Sequence, residues 1–449
     1  MSTKRSTDMT SGDIFGHILR FSVPLLIGNI FQQLYNMVDT WVVGNFVSNE
    51  AFSAVGTVGP VINMLIGFFS GLANGGAVVI SQYYGAKRYD DVKKAVHTSV
   101  VMTVFLSAVL TALGIGMVPL VVKMMNTPVE VIPESTRYLT IYFGGLTGLL
   151  FYNMGAAILR AVGDSKRPFY FLTVAAVLNI VLDLALVIFV KMGVAGVAWA
   201  TIISQGISAL LTFIVLFRTS SVVKLELKEM KVDWKILSRI IHVGIPAAFQ
   251  MALVSFSNIF VQSYINYFGT DVMSGWSAYS KIDALMFLPM QSISMAVTTF
   301  VGQNLGMDQK ERAKEGVKVG LKLAMIITLI LMVPVMWLAP QAVAIFNRKE
   351  EVVAYGTLFL RMITPFAVAS GINQVCASAL RGSGNSRAPM IMMIFGFCVS
   401  RQIYLFIMSR FISNTIIPIG LGYPFGWIVT STLIALYYHK VGLEGNIIG

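Results

Sequence analysis

Six ionisable side chains, Asp39, Asp183, Lys281, Asp283, Arg361 and Arg401, stand inside long apolar stretches. Charge is costly there, so each one points to function by default. Two of the acids sit among polar neighbours at helical spacing. Gln32, Tyr35, Asn36 and Asp39 follow i, i+3, i+4, i+7, and Asn179 precedes Asp183 by one turn. Thr201, Ser204, Gln205 and Ser208 repeat the same pattern further on. Three polar stripes in one half of a chain imply a polar chamber. Two carboxylates in it cannot both stay ionised cheaply, so at least one can load and release a proton. Their oxygens, with Asn179 and Thr201, could instead coordinate a small hard cation, which places a possible Na+ at Asp39, Asn179 and Asp183. A third reading is a hydrogen-bonded cluster that only fixes helix packing.

The elements that must carry these residues are membrane helices. Of 449 residues 56% are hydrophobic and only 12% charged, and mean hydropathy is +0.75. A water-soluble fold cannot hide that much apolar surface. Apolar runs long enough to cross roughly 30 Å of hydrocarbon fall near 18–46, 52–82, 95–118, 138–160, 168–190, 194–217, 240–266, 276–304, 317–339, 353–380, 388–409 and 414–438. The expectation is an all-α integral membrane protein with twelve transmembrane helices.

Lys and Arg gather on the side of the N-terminal tail, which carries Lys4 and Arg5, and of Lys87, Arg88, Lys93, Lys94, Arg160, Lys166 and Arg167. The positive-inside rule makes that side, and both termini, cytoplasmic. Asp39 lies 19 residues after Arg20, and Asp183 lies 16 after Arg167. The two acids therefore stand roughly 28 and 24 Å from that edge, at one depth in the outer half of the bilayer. The net charge of +12 forms no contiguous basic face, so no nucleic-acid partner is expected. The first apolar run is a full span, with no cleaved signal peptide before it. Cys376 and Cys398 read as packing residues. Pro24 with Gly28 interrupts the first span and Pro246 the seventh, each a place where a bend could change.

The chain repeats itself. Leu159-Arg-Ala-Val-Gly-Asp-Ser-Lys-Arg-Pro168 recurs as Leu380-Arg-Gly-Ser-Gly-Asn-Ser-Arg-Ala-Pro389 at an offset of 221, as does Ser81-Gln-Tyr-Tyr-Gly85 as Gly302-Gln-Asn-Leu-Gly306. Pro24 and Asn36 match Pro246 and Asn258 at 222. The expected organisation is a six-helix bundle over 1–217, a charged cytoplasmic linker over 218–239 lying solvated on the membrane surface, and a second bundle over 240–449. An even number of spans per copy relates the two bundles by a pseudo-two-fold axis along the membrane normal, with substrate bound between rocking halves.

The second half lacks the acids: Asp39 aligns with Val261, Asp183 with Tyr404, and Asn179 with Arg401. Arg401 and Arg361 read as structural ties, contacts to an anionic moiety, or tuners of the coupling. Lys281 and Asp283 read as residues near the outer mouth of the eighth span. Met286, Phe287, Met290 and Met295 could form a deformable apolar wall.

The two six-span repeats, Pro24…Gln32-Gln33…Asp39…Gly44, Ser81-Gln-Tyr-Tyr-Gly85-Ala86, Arg160…Gly163-Asp164 and Asn179…Asp183 together resemble the multidrug and toxic compound extrusion (MATE) transporters over essentially the whole chain, more like the bacterial DinF-type branch. The resemblance implies two bundles in a V. It also implies export of cationic, often aromatic compounds driven by inward H+ or Na+ flow in a bacterial inner membrane, by a chain working as a monomer without a bound cofactor. It assigns ion coupling to Asp39, Asn179, Asp183 and Thr201. Candidate cavity residues are Gln32, Tyr35, Asn36, Gln205, Met286, Met290, Arg361 and Arg401. Related branches place acids in the seventh and tenth spans, which this chain lacks. A flippase for lipid-linked saccharides is the alternative transport reading, through Arg361 and Arg401. An intramembrane aspartyl protease lacks its Gly-x-Gly-Asp signature, since Ala161-Val-Gly-Asp164 falls in a turn, and no phosphate-cradling glycine loop encodes ATP use.

Overall fold

A backbone in lipid must satisfy its own hydrogen bonds, which leaves a non-barrel chain only helices. The computed structural model describes residues 8–125, 127 and 129–444, with all their side chains except those of 49, 50, 52, 53, 56, 57 and 60. Among the described residues there is no strand. Lys4 and Arg5 lie outside them.

The first half holds α1 (Ile14–Phe46), α2 (Asn49–Gly85), α3 (Tyr89–Met124), α4 (Ile132–Gly144), α5 (Leu146–Ala161), α6 (Lys166–Asp183) and α7 (Val194–Arg218). The second holds α8 (Trp234–Asn266), α9 (Thr270–Gly306), α10 (Lys310–Trp337), α11 (Ala339–Ala344), α12 (Glu350–Ile363), α13 (Ala367–Gly382), α14 (Arg387–Ile394), α15 (Arg401–Ile407), α16 (Ile416–Gly420) and α17 (Gly422–Val441). Eleven helical stretches are long and apolar enough to span a membrane, and α4 with α5, bent by 46°, makes the twelfth. The helices run past several predicted span ends, because the polar turns at Tyr89 and Lys310 are still helical.

Packing divides the chain into two units. One contains Ile27–Gly244, and the other contains Met9–Leu26 with Ile245 onward. Neither Pro24 nor Pro246 interrupts its helix; α1 and α8 are continuous through them. The changeovers at Leu26/Ile27 and Gly244/Ile245 fall beside those prolines.

In the first unit α2 and α8 meet backbone to backbone. A Cβ on Gly75 would lie 2.6 Å from Gly244 Cα, so only glycine fits. The linker is seated on α3 as a strap rather than fully solvated. Val223 and Leu225 are buried, Glu226 N–H donates to His97 Nε2 at 3.1 Å, and Asp233 N–H donates to Thr98 Oγ1 at 3.1 Å. Asp233 then caps α8 by accepting from Lys235 and Ile236 N–H. In the second unit Ile14, Ile18, Phe21 and Leu25 join a core with Val297, Phe300 and Val317. Gln303 accepts from Met9 N–H at 3.0 Å, and Arg312 donates to Gly12 O at 2.9 Å.

The repeat is visible in backbone detail. Gly163 and Gly384 take φ of +85° and +87°, and Asp164 and Asn385 close the same turn onto Leu159 and Leu380. A π-helical turn at Phe395–Ser400 stands where the first half is regular α-helix. Such a turn accommodates one extra residue. It accounts for the slip from 221 at Pro168/Pro389 to 222 at Asn179/Arg401, and it puts Leu405 rather than Tyr404 opposite Asp183.

Candidate functional site

Asp39 arrives on α1 and Asp183 on the last turn of α6, where the helix passes into a π-helical turn over Leu184–Phe189. Such turns are frequent at functional sites because they aim side chains off the regular spiral. The two carboxyls face each other closely enough for one to donate a hydrogen bond to the other. As two carboxylates they only accept, and then Asp39 Oδ1 and both Asp183 oxygens are buried without a donor. A single shared proton would serve one oxygen of each acid and leave one Asp183 oxygen still without a donor.

Asn179, 1% exposed, leaves both atoms of its amide unpartnered. Its carbonyl oxygen and the acids make an oxygen-rich set suited to a small hard cation as well. Thr201 donates its hydroxyl to Val197 O at 3.0 Å, which leaves the oxygen lone pairs for another partner.

Beside the acids lies a cavity of about 330 Å³ within this one unit. The predicted stripe lines it: Gln32, Tyr35, Asn36 and Asp39 from α1, with Thr201 and Gln205 from α7. Gln205 Nε2 donates to the Tyr35 hydroxyl at 3.3 Å. Asp183 and Asn179 stand behind Asp39 and are not part of the lining. Among the lining residues that the sequence did not single out are Asn63, Tyr138 and Tyr142. Tyr138 and Tyr142 are stacked, with centroids 6.2 Å apart, and Tyr138 is within electrostatic reach of both acids. Their i, i+4 spacing at a span edge was the available signal, but it is also what an interfacial aromatic belt looks like.

The other candidates fall in the second unit and do not join this cavity. Arg401, 1% exposed, is a buried cation held by neutral groups. It donates to Ser257 Oγ at 2.7 Å, Asn258 Oδ1 at 2.9 Å and Phe397 O at 3.0 Å, and its guanidinium lies 4.9 Å from the Tyr423 ring. Arg361 is exposed and reaches only Met336 O, at 3.4 Å. Met286 and Met290 are core residues, and Met290 Sδ lies 3.2 Å from where a Cβ on Gly371 would sit.

Lys281 is exposed and sits over the Phe346 ring at 5.3 Å. Asp283, half-buried, stands one turn from Tyr279, and its Oδ1 and the Tyr279 hydroxyl are both shielded from solvent. Among the described residues no cluster of three or more His, Cys, Asp or Glu side chains could hold a metal ion.

Comparison with known proteins agrees with this architecture. The MatE family model matches twice, over residues 24–185 and 246–407, at the 222 offset of the internal repeat. Two Bacillus subtilis (strain 168) proteins are each 30% identical to this chain. The one named "Probable multidrug resistance protein YoeA" aligns over 94% of this chain and 92% of its own length. The one named "Probable multidrug resistance protein YpnP" aligns over 98% and 97%. A solved structure of a MATE protein in complex with MaL6 superposes with a TM-score of 0.93, covering 98% of both chains at 24% identity. The doubled match and the full-length relatives show that this chain, a multi-pass integral membrane transporter, belongs to the MatE family.

Proposed function

We propose that this chain is a multidrug exporter that moves cationic, often aromatic organic compounds outward in exchange for inward H+ or Na+. The observation that carries the reading is the facing pair Asp39 and Asp183 beside a tyrosine-lined cavity in the same unit. A cation entering the cavity meets the π faces of Tyr138 and Tyr142 and the carboxyl of Asp39. A proton, or Na+ held by Asp39, Asp183, Asn179 and Thr201, cancels the charge that attracts it. Ion and drug are then alternatives at one charge, which is the condition for antiport, and alternating access carries each across.

The relatives' names support multidrug export. The lining supports a cationic substrate, since no Lys or Arg is among the described residues that form it. That same lining argues against a diphosphate-linked lipid as cargo. The distribution of Lys and Arg supports cytoplasmic termini in a bacterial inner membrane. The site lies within one unit, which supports function as a monomer, and the acids are read as ion carriers in a chain that is not an enzyme.

The test is efflux of a fluorescent cationic dye from proteoliposomes under imposed proton and sodium gradients applied separately, for wild type and Asp39→Asn. Dye movement driven by one gradient and lost in the variant is the expected result, and it names the ion. No dye movement under either gradient overturns the reading.

A further inference from the structure

One helix face is treated differently in the two halves. On α3 the linker strap runs over His97 and Thr98, 2% and 0% exposed, and bonds to both side chains. At the 221 offset Lys93, His97 and Val101 correspond to Lys314, Lys318 and Lys322 of α10. Among the described residues no polypeptide lies over the corresponding lysines, although Met9 and Gly12 bond to Arg312 near the start of the same helix. Lys318 and Lys322 are exposed, and among the described residues neither has a carboxylate within ion-pair distance, whereas Lys314 is paired with Glu311 at 2.7 Å.

Lys310, Lys314, Lys318 and Lys322 recur every fourth residue, one charged stripe whose members repel each other. Beyond Lys318 and Lys322 the same side of the helix carries the apolar residues Met325, Ile326 and Leu329, 38%, 53% and 46% exposed. A row of cations running into a row of lipid-facing side chains marks the level where headgroups meet acyl chains. A hollow of about 470 Å³ follows the stripe, bounded also by Arg312 and by the carboxylates of Glu311, which is paired with Lys314, and Glu315.

We propose that this face of α10 is a binding site for an anionic phospholipid, with its phosphate on Lys318 and Lys322 and its acyl chains along Ile326 and Leu329. Lipid there takes the place that polypeptide takes on α3. The apolar continuation selects a lipid over a free phosphate, which has nothing to lay against Ile326. The long lysine stems reach the headgroup level while their methylenes cover the helix. The inference is independent of the transported substrate.

The test is native mass spectrometry of the purified full chain with phosphatidylglycerol and phosphatidylcholine of identical acyl chains. Wild type and K318R/K322R should retain phosphatidylglycerol preferentially. K318Q/K322Q should hold it about tenfold or more weakly, given the attraction each lysine supplies near an anionic surface. K231Q/K235Q, which loses the same charge elsewhere, should behave as wild type. Equal retention of the two lipids by wild type, equal loss in both glutamine variants, or release of the lipid by millimolar inorganic phosphate overturns the proposal.

Discussion

The two halves share a fold and differ in what fills equivalent positions. Where α1 and α6 bring Asp39, Asp183 and Asn179 to the edge of a cavity, the second half has Val261 and Leu405, both 0% exposed, and Arg401 clasped by Ser257, Asn258 and Phe397. One bundle keeps a hollow with unsatisfied oxygens. The other closes the same region over Trp276, Tyr423 and Phe359, whose rings stand 5.0 to 5.2 Å from one another through Trp276. Duplication supplied two scaffolds, and what separates them is a hollow beside a carboxyl pair in one and a filled aromatic cluster in the other; unsatisfied buried polar atoms occur in both, at Asp39, Asn179 and Asp183 and at Thr364 and Asn373.

The largest effect should come from the acids. Asp39→Asn or Asp183→Asn is expected to lower gradient-driven export by about 100-fold, the upper range of a coupling free energy. The thermal midpoint should stay unchanged or rise, since one of two repelling carboxyls is gone. Initial efflux rates and melting curves on the same preparations check both halves of that statement. Arg401→Met should do the reverse. It leaves Asn258 Oδ1 without its donor, while Ser257 Oγ keeps Gln402 and Phe397 O keeps Ser257, at a cost of about 1–2 kcal/mol in stability, while gradient coupling persists in the folded fraction. Loss of coupling with intact stability would place Arg401 in the transport chemistry and blur the contrast between halves.

Smaller effects sharpen the picture. Tyr142→Ala should weaken apparent affinity for aromatic cations about fivefold, the worth of one partly exposed cation–π contact, as read from concentration dependence of efflux. Thr98→Val removes the acceptor for Asp233 N–H and should loosen the linker by about 1 kcal/mol, seen as faster limited proteolysis between Arg218 and Arg239.

Much of this was legible in the residues because both signals are periodic. Spans announce themselves by length, and the stripe from Gln32 to Asp39 by helical spacing, so the cavity wall on α1 and α7 followed directly. The π-helical turns did not, because a single inserted residue leaves hydropathy untouched; it showed only as a one-residue slip in the repeat. Tyr138 and Tyr142 were hidden by the ordinary habit of tyrosine at membrane edges. The linker was read from its charges, while Val223 and Leu225, the residues that seat it, are too few to raise a hydropathy signal.

The central claim is that ion coupling resides in the Asp39 and Asp183 pair of the first half. Its most direct test is uphill accumulation of a fluorescent organic cation by proteoliposomes carrying the Asp39→Asn/Asp183→Asn double variant, side by side with wild type and Arg401→Met. The account predicts concentration against the gradient for wild type and for folded Arg401→Met, and only equilibration for the double variant. A double variant that still concentrates the dye would contradict it.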